Sequence, residues 1–542
     1  MKRLILILAV LLVTDQPPAA QQPPSTYRIA GVVVDAVTGA PVPHAGVSVW
    51  VKNEERKTIA NEDGRFRFEE LEAGKYALYV AAQGYIREGY NQHGAYSTAV
   101  AVGSGLDSGH VLFRLHQQAV IHGRVMDERG DAVRHVQVFL FAANTTTGHA
   151  GFAAAPTQTD DLGEYRFAHL LPGKYYVALQ AHPWYAQSGL RHLPEPQQGN
   201  VFLGHSNVKA DSLLDSIYPI TFYPGVTNER SAAELNLTAG ETEEANVQLQ
   251  AIPAVHLRLT NVPSDEKDPI NISANQKVFG TLQLAWPAAY SQIAPGEYEI
   301  AGLPPGEVAL IVSRGGNQGR SSQTIKADVT EGDTLNAAGT GATANVSGRV
   351  IVPDGATLAE RGQLTLVSDE DQNAIAELLN DGTFSLGPLR VGTYKVSVNL
   401  HSNEQYVRKI SASGAKTFGR QVTIERAGEV QLNIMMGKGL GQVGGVVQLE
   451  GKPAAGVMVL MVPESGENLE EDSRIDQSDS DGTFTLGNTL PGKYLLMAIE
   501  DGWELEWTNS SVLKPYREKG QMLRIAPEET KKVTVQVQRT IK

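Results

Sequence analysis

Residues 192–195, with the sequence His-Leu-Pro-Glu, have the spacing of two of the zinc ligands of a carboxypeptidase. Such a site also needs a distant third histidine and a catalytic domain around it. In a chain with 13 histidines a match of this kind is expected by chance, and this one lies in a proline-rich stretch. We therefore expect no zinc site here.

A glycine fingerprint of the dinucleotide-binding type occurs at residues 439–444, with the sequence Gly-Leu-Gly-Gln-Val-Gly. That fingerprint binds a pyrophosphate only where it follows a strand and opens a helix. Here it runs into residues 445–449, whose valines are typical of a strand. The pattern predicts a linker between two domains. The sequence contains neither a Walker A loop nor a Gly-x-Ser-x-Gly elbow.

Three carboxylates, Asp476, Asp479 and Asp481, lie close together before Gly482 and suggest calcium. They lack the spacing and the final glutamate of an EF-hand loop, so a solvated acidic hairpin is the better interpretation. The chain has no cysteine, which excludes disulfides and thiolate metal sites. The sequence predicts no cofactor, no metal and no enzymatic activity.

Aromatic side chains on outer strand faces are the remaining candidates for a binding site. Val47, Val49 and Val51 alternate with period two, which places them in a core and leaves Trp50 on the opposite face. A later strand with the same alternation leaves Phe139 outward. Aromatic rings on an outer face can stack on sugars or dock a neighbouring domain.

A long insertion at residues 182–223 carries further aromatic residues, among them Trp184, Tyr185 and Tyr223. Long loops are often functional, and tyrosine and tryptophan are favoured at binding surfaces. Two interpretations remain open for the outer-face and insertion aromatics: they contact a ligand, or they pack between neighbouring domains. The candidate ligand-binding residues are Trp50, Phe139, Trp184, Tyr185 and Tyr223.

One phrase recurs five times along the chain: a glycine, apolar residues two and four positions later, a second glycine at ten, and a large apolar residue at twelve. The clearest copy contains Gly382, Phe384, Leu386, Gly392 and Tyr394. The first glycine supplies the positive φ of a tight hairpin, and the two apolar residues share one strand face. The phrase therefore predicts a hairpin that fills a core.

An alternating strand with a central glycine, as in Val346-x-Gly348-x-Val350, opens four of the repeats, and another alternating strand closes them. This order predicts an all-β chain, a tandem array of about five small antiparallel β-sandwich modules. The third is degenerate, because its opening strand lacks the glycine. We name these modules one to five; they span residues 27–116, 117–250, 251–341, 342–437 and 438–542.

The first residues have the pattern of an export signal. Lys2 and Arg3 precede an apolar run at residues 4–13, which predicts a signal peptide over 1–20 and a linker over 21–26. The run is too short for a bilayer, which needs about twenty apolar residues. We expect an exported protein that is periplasmic, cell-surface or extracellular, with no membrane-spanning segment after signal cleavage. The formal net charge of −14 argues against a nucleic-acid partner.

The glycine-centred opening strands, the Asp-Gly-x-Phe-x-Leu hairpin and the Pro-Gly-Lys-Tyr turn at residues 172–175 and 491–494 resemble carboxypeptidase regulatory-like domains. The resemblance covers most of the chain after the signal peptide and is weak in module three. It implies a transthyretin-like sandwich, also grouped with carbohydrate-binding-like folds, in an exported bacterial protein. It implies no catalysis, because this domain is the non-catalytic part of metallocarboxypeptidases.

These observations favour a non-enzymatic binding or structural protein of the cell envelope, with a glycan or an envelope protein as its partner. The fold group favours carbohydrate by analogy only. One alternative is an accessory subunit of a peptidase or outer-membrane receptor system, which would hold a stable partner. A divergent hydrolase is a third hypothesis and requires a pocket of convergent His, Asp and Glu side chains.

The core role of the phrase is testable at Phe384. Truncation of a buried phenylalanine costs about 3–5 kcal/mol, a large part of a domain's stability of about 5–15 kcal/mol. Phe384→Ala is expected to lower the melting temperature of module four alone in a calorimetric scan. A scan without a destabilised transition would contradict the core assignment.

Overall fold

The computed structural model describes residues 26–51, 54–143, 150–186, 214–262, 270–279, 282–286, 288–316, 319–337, 342–353, 362–368, 373–400, 405–466 and 469–540. Over these residues the chain consists mainly of strands, which confirms the all-β class. Its described helices are short: α1 (Leu469–Asp472), α2 (Ser510–Arg517) and 3-10 turns at Glu229–Ser231 and Gly502–Glu504. In this part of the chain no helix has the length and apolar character to cross a membrane.

The first two predicted modules contain strands β1 to β20. Module one has β1 (Tyr27–Asp35), β2 (Gly46–Val51), β3 (Glu54–Ile59), β4 (Arg65–Leu71), β5 (Gly74–Tyr76), β6 (Leu78–Ala81), β7 (Glu88–Gly89), β8 (Val100–Val102) and β9 (Val111–Leu115). Module two has β10 (Ala119–Met126), β11 (Gln137–Ala143), β12 (Ala150–Phe152), β13 (Thr157–Gln158), β14 (Glu164–Leu170), β15 (Gly173–Gln180), β16 (Ser216–Ile217), β17 (Thr221–Phe222), β18 (Leu235–Leu237), β19 (Thr242–Glu244) and β20 (Val247–Gln248).

The remaining strands lie in the last three predicted modules. Module three has β21 (Ile252–Pro253), β22 (Val255–Thr260), β23 (Ile270–Val278), β24 (Leu282–Trp286), β25 (Ala289–Ala294), β26 (Glu297–Leu303), β27 (Gly306–Gly316), β28 (Gly319–Val329) and β29 (Thr334–Asn336). Module four has β30 (Thr343–Ile351), β31 (Gln363–Ser368), β32 (Asn373–Glu377), β33 (Thr383–Arg390), β34 (Gly392–Asn399), β35 (Gln405–Ser413), β36 (Lys416–Phe418), β37 (Gln421–Ile424) and β38 (Gly428–Lys438). Module five has β39 (Gly441–Leu449), β40 (Lys452–Pro453), β41 (Met458–Pro463), β42 (Arg474–Gln477), β43 (Thr483–Thr489), β44 (Gly492–Ile499), β45 (Gln521–Ile525) and β46 (Thr530–Gln538).

One sheet of each sandwich has the opening strand at its centre. In module one this sheet has the order β4-β1-β9, and β33-β30-β38 and β43-β39-β46 repeat it in modules four and five. The opening strand pairs antiparallel with the phrase strand but parallel with the closing strand. The sandwiches are therefore not purely antiparallel, because the chain crosses to the other sheet before it returns beside its first strand.

The phrase folds as the sequence predicts. Its first glycine has positive φ in each copy: Gly64, Gly163, Gly296, Gly382 and Gly482. The aromatic residue two positions later is buried, and Phe384 keeps 5% of its surface exposed. The tyrosine at the end of the phrase does more than fill the core, because its hydroxyl donates to the carbonyl four residues earlier. These bonds join Tyr76 to Glu72, Tyr175 to Leu171, Tyr394 to Arg390 and Tyr494 to Leu490 at 2.7–2.9 Å.

The glycine of the opening strand lies against the closing strand at very short range. A Cβ atom at Gly445 would stand 2.0 Å from the carbonyl oxygen of Val533 and 3.1 Å from the ring of Phe484. The corresponding distances to the closing carbonyl are 2.1 Å at Gly31 and 2.0 Å at Gly348. Only a residue without a side chain fits there, which explains why the opening glycine recurs.

Neighbouring modules also pack on one another. Modules three and four share one nine-stranded sheet, in which β28 pairs with β32. Modules two and three share one apolar cluster, which contains Phe141 and Phe222 of module two and Leu257 and Leu310 of module three. Modules two, three and four are thus joined by continuous contacts.

The close approach at Gly445 predicts a strong effect of a single methyl group. Gly445→Ala forces the closing strand away and is expected to destabilise module five by about 1–3 kcal/mol, the usual cost of overpacking. Gly487→Ala is the matched control, because a Cβ there meets nothing within 4 Å. Chemical denaturation of both variants measures the difference, and equal stabilities would contradict the steric explanation.

Candidate functional site

Trp50 lies on the outer face of the sheet β3-β2-β6-β7 of module one and is 51% exposed. The valines on either side of it point into the core, as their alternation predicts. Glu55 is directly opposite Trp50 on β3, while Ser48 is paired with Lys57 on one side and Tyr79 on the other. Residues paired in this way share a face, so Trp50 is surrounded by polar and aromatic groups.

These groups are held in place by each other. Lys57 Nζ lies 2.9 Å from a carboxylate oxygen of Glu55, and this hydrogen bond lowers the pKa of Glu55. Arg87 stacks over Tyr79, with its guanidinium carbon 4.8 Å from the ring centroid. We call Trp50, Ser48, Glu55, Lys57, Tyr79 and Arg87 the tryptophan face. Its chemistry is an open aromatic surface beside hydrogen-bond donors and acceptors.

For Phe139 the sequence left two interpretations open, ligand contact and packing between modules. Phe139 does point away from the module-two core, but it is only 8% exposed, because module three covers it. Its ring lies 6.1 Å from that of Phe152 on β12, and Phe279 of module three packs beside it in the same cluster, 5.1 Å from Phe141 and 5.4 Å from Phe222. Phe139 therefore packs between modules and is closed to a ligand.

The described ends of the module-two insertion contain the other candidates. Trp184 is 81% exposed, and its ring stands at right angles to that of Tyr185 at 5.7 Å. The Tyr185 hydroxyl donates to Glu128 Oε1 at 3.0 Å, and burial together with this carboxylate raises the pKa of Tyr185. Tyr218 is fully buried, and its hydroxyl donates to the other oxygen of Glu128 at 3.4 Å. Trp184 alone in this group is open to solvent.

Tyr223 is half-buried against the module-two core. Its backbone N–H donates to the carbonyl of Val177 at 3.0 Å, and its own carbonyl accepts from Ala233. This tyrosine thus fixes the end of the insertion to the sandwich. The structure does not bring Tyr223 and Trp50 together, because they belong to different modules.

The three candidate calcium ligands have other partners. Asp479 accepts from the backbone N–H of Ala99 at 2.9 Å and pairs with Lys75 of module one at 2.5 Å. Asp481 accepts a hydrogen bond from the backbone N–H of Thr483 within its own hairpin. Burial raises the pKa of Asp476. The hairpin is therefore a contact between modules five and one rather than a solvated turn.

Gln477 lies at the centre of this contact, which we call the clasp. Its side-chain amide donates to the carbonyl of Asn91 at 2.6 Å and to Thr98 Oγ1 at 2.7 Å, and its oxygen lies 3.0 Å from His93 Nδ1. Trp503 of module five stacks on His93 at 5.1 Å. Module one thus satisfies the buried polar groups of a strand nearly 380 positions away.

A buried carboxylate also joins modules one and two. Asp35 accepts from the backbone N–H of Thr38 at 2.7 Å, from Gln117 Nε2 at 2.7 Å and from the Tyr85 hydroxyl at 3.1 Å. The Thr38 hydrogen bond, helped by Gln117, holds the pKa of Asp35 far below its usual range. The ionised carboxylate therefore anchors the connection between the two sandwiches.

A second buried cluster fastens the insertion to module three. His256 Nε2 lies 2.5 Å from Asp215 Oδ2, and His256 Nδ1 lies 3.2 Å from Glu299 Oε1. All three side chains are nearly inaccessible. The two contacts tie β22 and β26 to the end of the insertion. The burial of all three side chains keeps solvent and substrate away from them.

The described residues contain no group of three or more His, Cys, Asp or Glu suited to a metal ion. The His-x-x-Glu candidate at 192–195 lies outside the described residues. At the glycine fingerprint, β38 ends at Lys438 and β39 begins at Gly441, so a strand occupies the place of the helix that dinucleotide binding requires.

Two parts of the site were not recognised from the sequence. Tyr79 has a signal, because Leu78 and Val80 point inward and leave it on the outer face of β6. The contacts of Gln477 in the clasp have none, since its partners lie in another module and share no spacing with it.

Residues 28–104 match the model of the carboxypeptidase regulatory-like domain, which confirms the resemblance in module one. The comparison with curated proteins gives no match. Among solved structures, the chain is similar to the Bacillus anthracis TIE protein (10% identity, 94% of this chain and 68% of that one, TM-score 0.16). It is also similar to a minor pilin of Streptococcus agalactiae (10%, 42% and 97%, 0.20) and to the major pilin subunit of Bacillus cereus (11%, 78% and 99%, 0.13). Likeness at these TM-scores carries no argument about what the chain does.

The clasp can be tested at Gln477. Gln477→Ala leaves buried partners in module one unsatisfied, which costs about 1–3 kcal/mol. We expect faster hydrogen–deuterium exchange at residues 91–101 and a larger radius of gyration by X-ray scattering, with every sandwich still folded. Gln536→Ala, at an exposed position of the same module, is the control. Equal exchange in the two variants would contradict the clasp.

Proposed function

We propose that this chain, which carries a carboxypeptidase regulatory-like domain at residues 28–104, is an exported, non-catalytic binding protein and that carbohydrate binds to its tryptophan face. The observation that carries the proposal is Trp50, a large aromatic ring that is half-exposed near the end of β2, where it is paired with Glu55 on β3. Tryptophan is favoured at binding surfaces, because its large ring supplies contact area together with a polar N–H group.

The chemistry of the tryptophan face fits a sugar. The electron-rich face of the indole attracts the polarised C–H groups of a pyranose ring, and it orders few rotatable bonds on binding. Glu55 accepts hydrogen bonds from sugar hydroxyls, while Lys57 and Arg87 donate to their oxygens. The sheet holds these groups before the ligand arrives, which reduces the entropy lost on binding.

Trp184 forms a second candidate contact, next to the insertion. Its exposure supports ligand binding there, whereas the burial of Phe139 and the half-burial of Tyr223 support packing roles for those two. Tyr185 contributes by positioning, because its hydroxyl is already bonded to Glu128.

A structural role at the cell envelope is the second candidate function. It is favoured by the nine-stranded sheet that runs through modules three and four and by the clasp, which together hold the sandwiches in fixed contact. Such a protein, or an accessory subunit of a receptor or peptidase system, would retain an envelope protein in a pull-down without binding glycan.

A glycan array compares these functions. The wild-type mature chain is expected to bind a subset of neutral glycans, and Trp50→Ala to bind them roughly tenfold or more weakly, because loss of a central aromatic anchor costs over 1–2 kcal/mol. Ile59→Ala is the control, since Ile59 is exposed on the same sheet.

A Trp184→Ala, Tyr185→Ala double variant tests the second contact on the same array. Wild-type chain that binds no glycan, or Trp50→Ala chain that binds like Ile59→Ala, would reject the tryptophan face as a sugar site.

A further inference from the structure

We propose that the opposite side of module one binds an anionic polysaccharide. The outer face of the sheet β4-β1-β9 carries four exposed arginines, Arg28, Arg65, Arg67 and Arg114. We call it the arginine face. It lies on the other sheet of the sandwich from the tryptophan face, so the two are separate surfaces.

The strand register fixes the arrangement of the arginine face. Val32 lies at its centre, directly between Arg65 on β4 and Leu112 on β9. One step along the sheet, Ala30 is opposite Arg67, and on the other side Val34 is opposite Arg114. The guanidinium groups therefore surround a floor of small apolar side chains, of which Leu112 is 40% exposed.

Acidic side chains gather at one end of the face, where Arg28 shares a pocket with Glu69, Glu70 and Asp107. Arg67 pairs with Glu69 on its own strand, and its side chain keeps 62% of its surface exposed. Among the described residues, no ion pair or side-chain hydrogen bond occupies Arg28, Arg65 or Arg114. The face is thus a concentration of positive charge on a chain whose formal net charge is −14.

The other modules provide an internal comparison, because the same register recurs in them. Three positions hold arginine in module one: Arg65, Arg67 and Arg114. Module two holds Glu164, Arg166 and Gln248 there. Module four holds Thr383, Ser385 and Met435. Module five holds Thr483, Thr485 and Gln536. The fold accepts uncharged residues at these positions, so the arginines of module one are not a requirement of the sandwich.

The ligand chemistry follows from the side chains. Guanidinium groups form paired hydrogen bonds with carboxylate and sulfate oxygens, and their charge does not depend on pH in the ordinary range. Methyl groups of Val32, Val34 and Leu112 pack against the C–H faces of sugar rings between those anionic groups. A polymer with repeated carboxylates or sulfates can contact several arginines at once, which strengthens binding.

A polysaccharide fits better than a membrane surface. A planar array of anionic lipids would repel the rest of a chain with net charge −14, whereas a narrow polymer meets only the face that it crosses. The recess beside Arg28 is lined by Glu69, Glu70 and Asp107, whose carboxylates repel an acidic peptide that would enter it.

Heparin is the probe for the test, with neutral dextran beside it. We expect the full mature chain to bind heparin and not dextran, with an affinity that falls as salt rises. The variant Arg65→Thr, Arg67→Thr, Arg114→Gln places the module-five residues in module one. It is expected to bind heparin roughly tenfold more weakly, because three exposed charged contacts of about 0.2–1 kcal/mol each are lost.

The control removes the same charge from outer positions of the corresponding sheet in three other modules, one residue from each: Arg166→Thr, Arg349→Thr and Lys532→Thr. Heparin affinity should stay near wild type in this control, and circular dichroism confirms that both variants fold. If both variants bind heparin equally weakly, net charge explains the binding and the proposal is overturned. Absence of heparin binding by the wild-type chain overturns it as well.

Two further arms exclude other partners. Binding to vesicles with anionic phospholipid, or to poly-glutamate, in preference to heparin would overturn the polysaccharide assignment. Trp50→Ala should leave heparin binding unchanged. Failure of the glycan site at the tryptophan face can therefore be told apart from failure of the heparin site at the arginine face.

Discussion

The contact between the opening glycine and the closing strand is the constraint on which modules one, two, four and five depend. The closing strand runs parallel to the opening strand, and its carbonyl comes so near to Gly31, Gly348 or Gly445 that no side chain fits between them. The aromatic ring of the phrase packs on the same glycine. One small residue therefore sets the distance between two strands and the position of the ring that fills the core. With that distance fixed, alternate residues of each strand point either into the core or to the outside.

Much of this arrangement could be predicted because its signals are local. The spacing of Gly382 and Phe384 alone predicts a hairpin and a core position. The alternation around Trp50 predicts that its side chain lies on the outer face of the strand. The same alternation places Phe139 outside, yet Phe139 is buried, because it joins an apolar cluster with residues of module three that no local pattern reveals. The clasp could not be predicted, since Gln477 meets partners nearly 380 positions away that share no pattern with it.

The modules differ chiefly in what covers their outer faces. Module two buries its outer aromatics under module three, and module five covers the outer face of its second sheet with α2 and Trp507. Module one keeps both of its sheets open, one with a tryptophan and one with arginines. A shared core thus leaves each module free to vary its surface, as expected where strand faces that point to solvent carry few constraints from packing.

The clasp also has a mechanical meaning. It joins modules one and five through a small number of polar contacts and one ring stack, whereas each sandwich is held by long strand ladders and a closed apolar core. If the two modules are pulled apart, the clasp bears the load first and breaks first. Its rupture would leave every core intact, so tension between modules one and five would separate the clasp before it unfolds a sandwich.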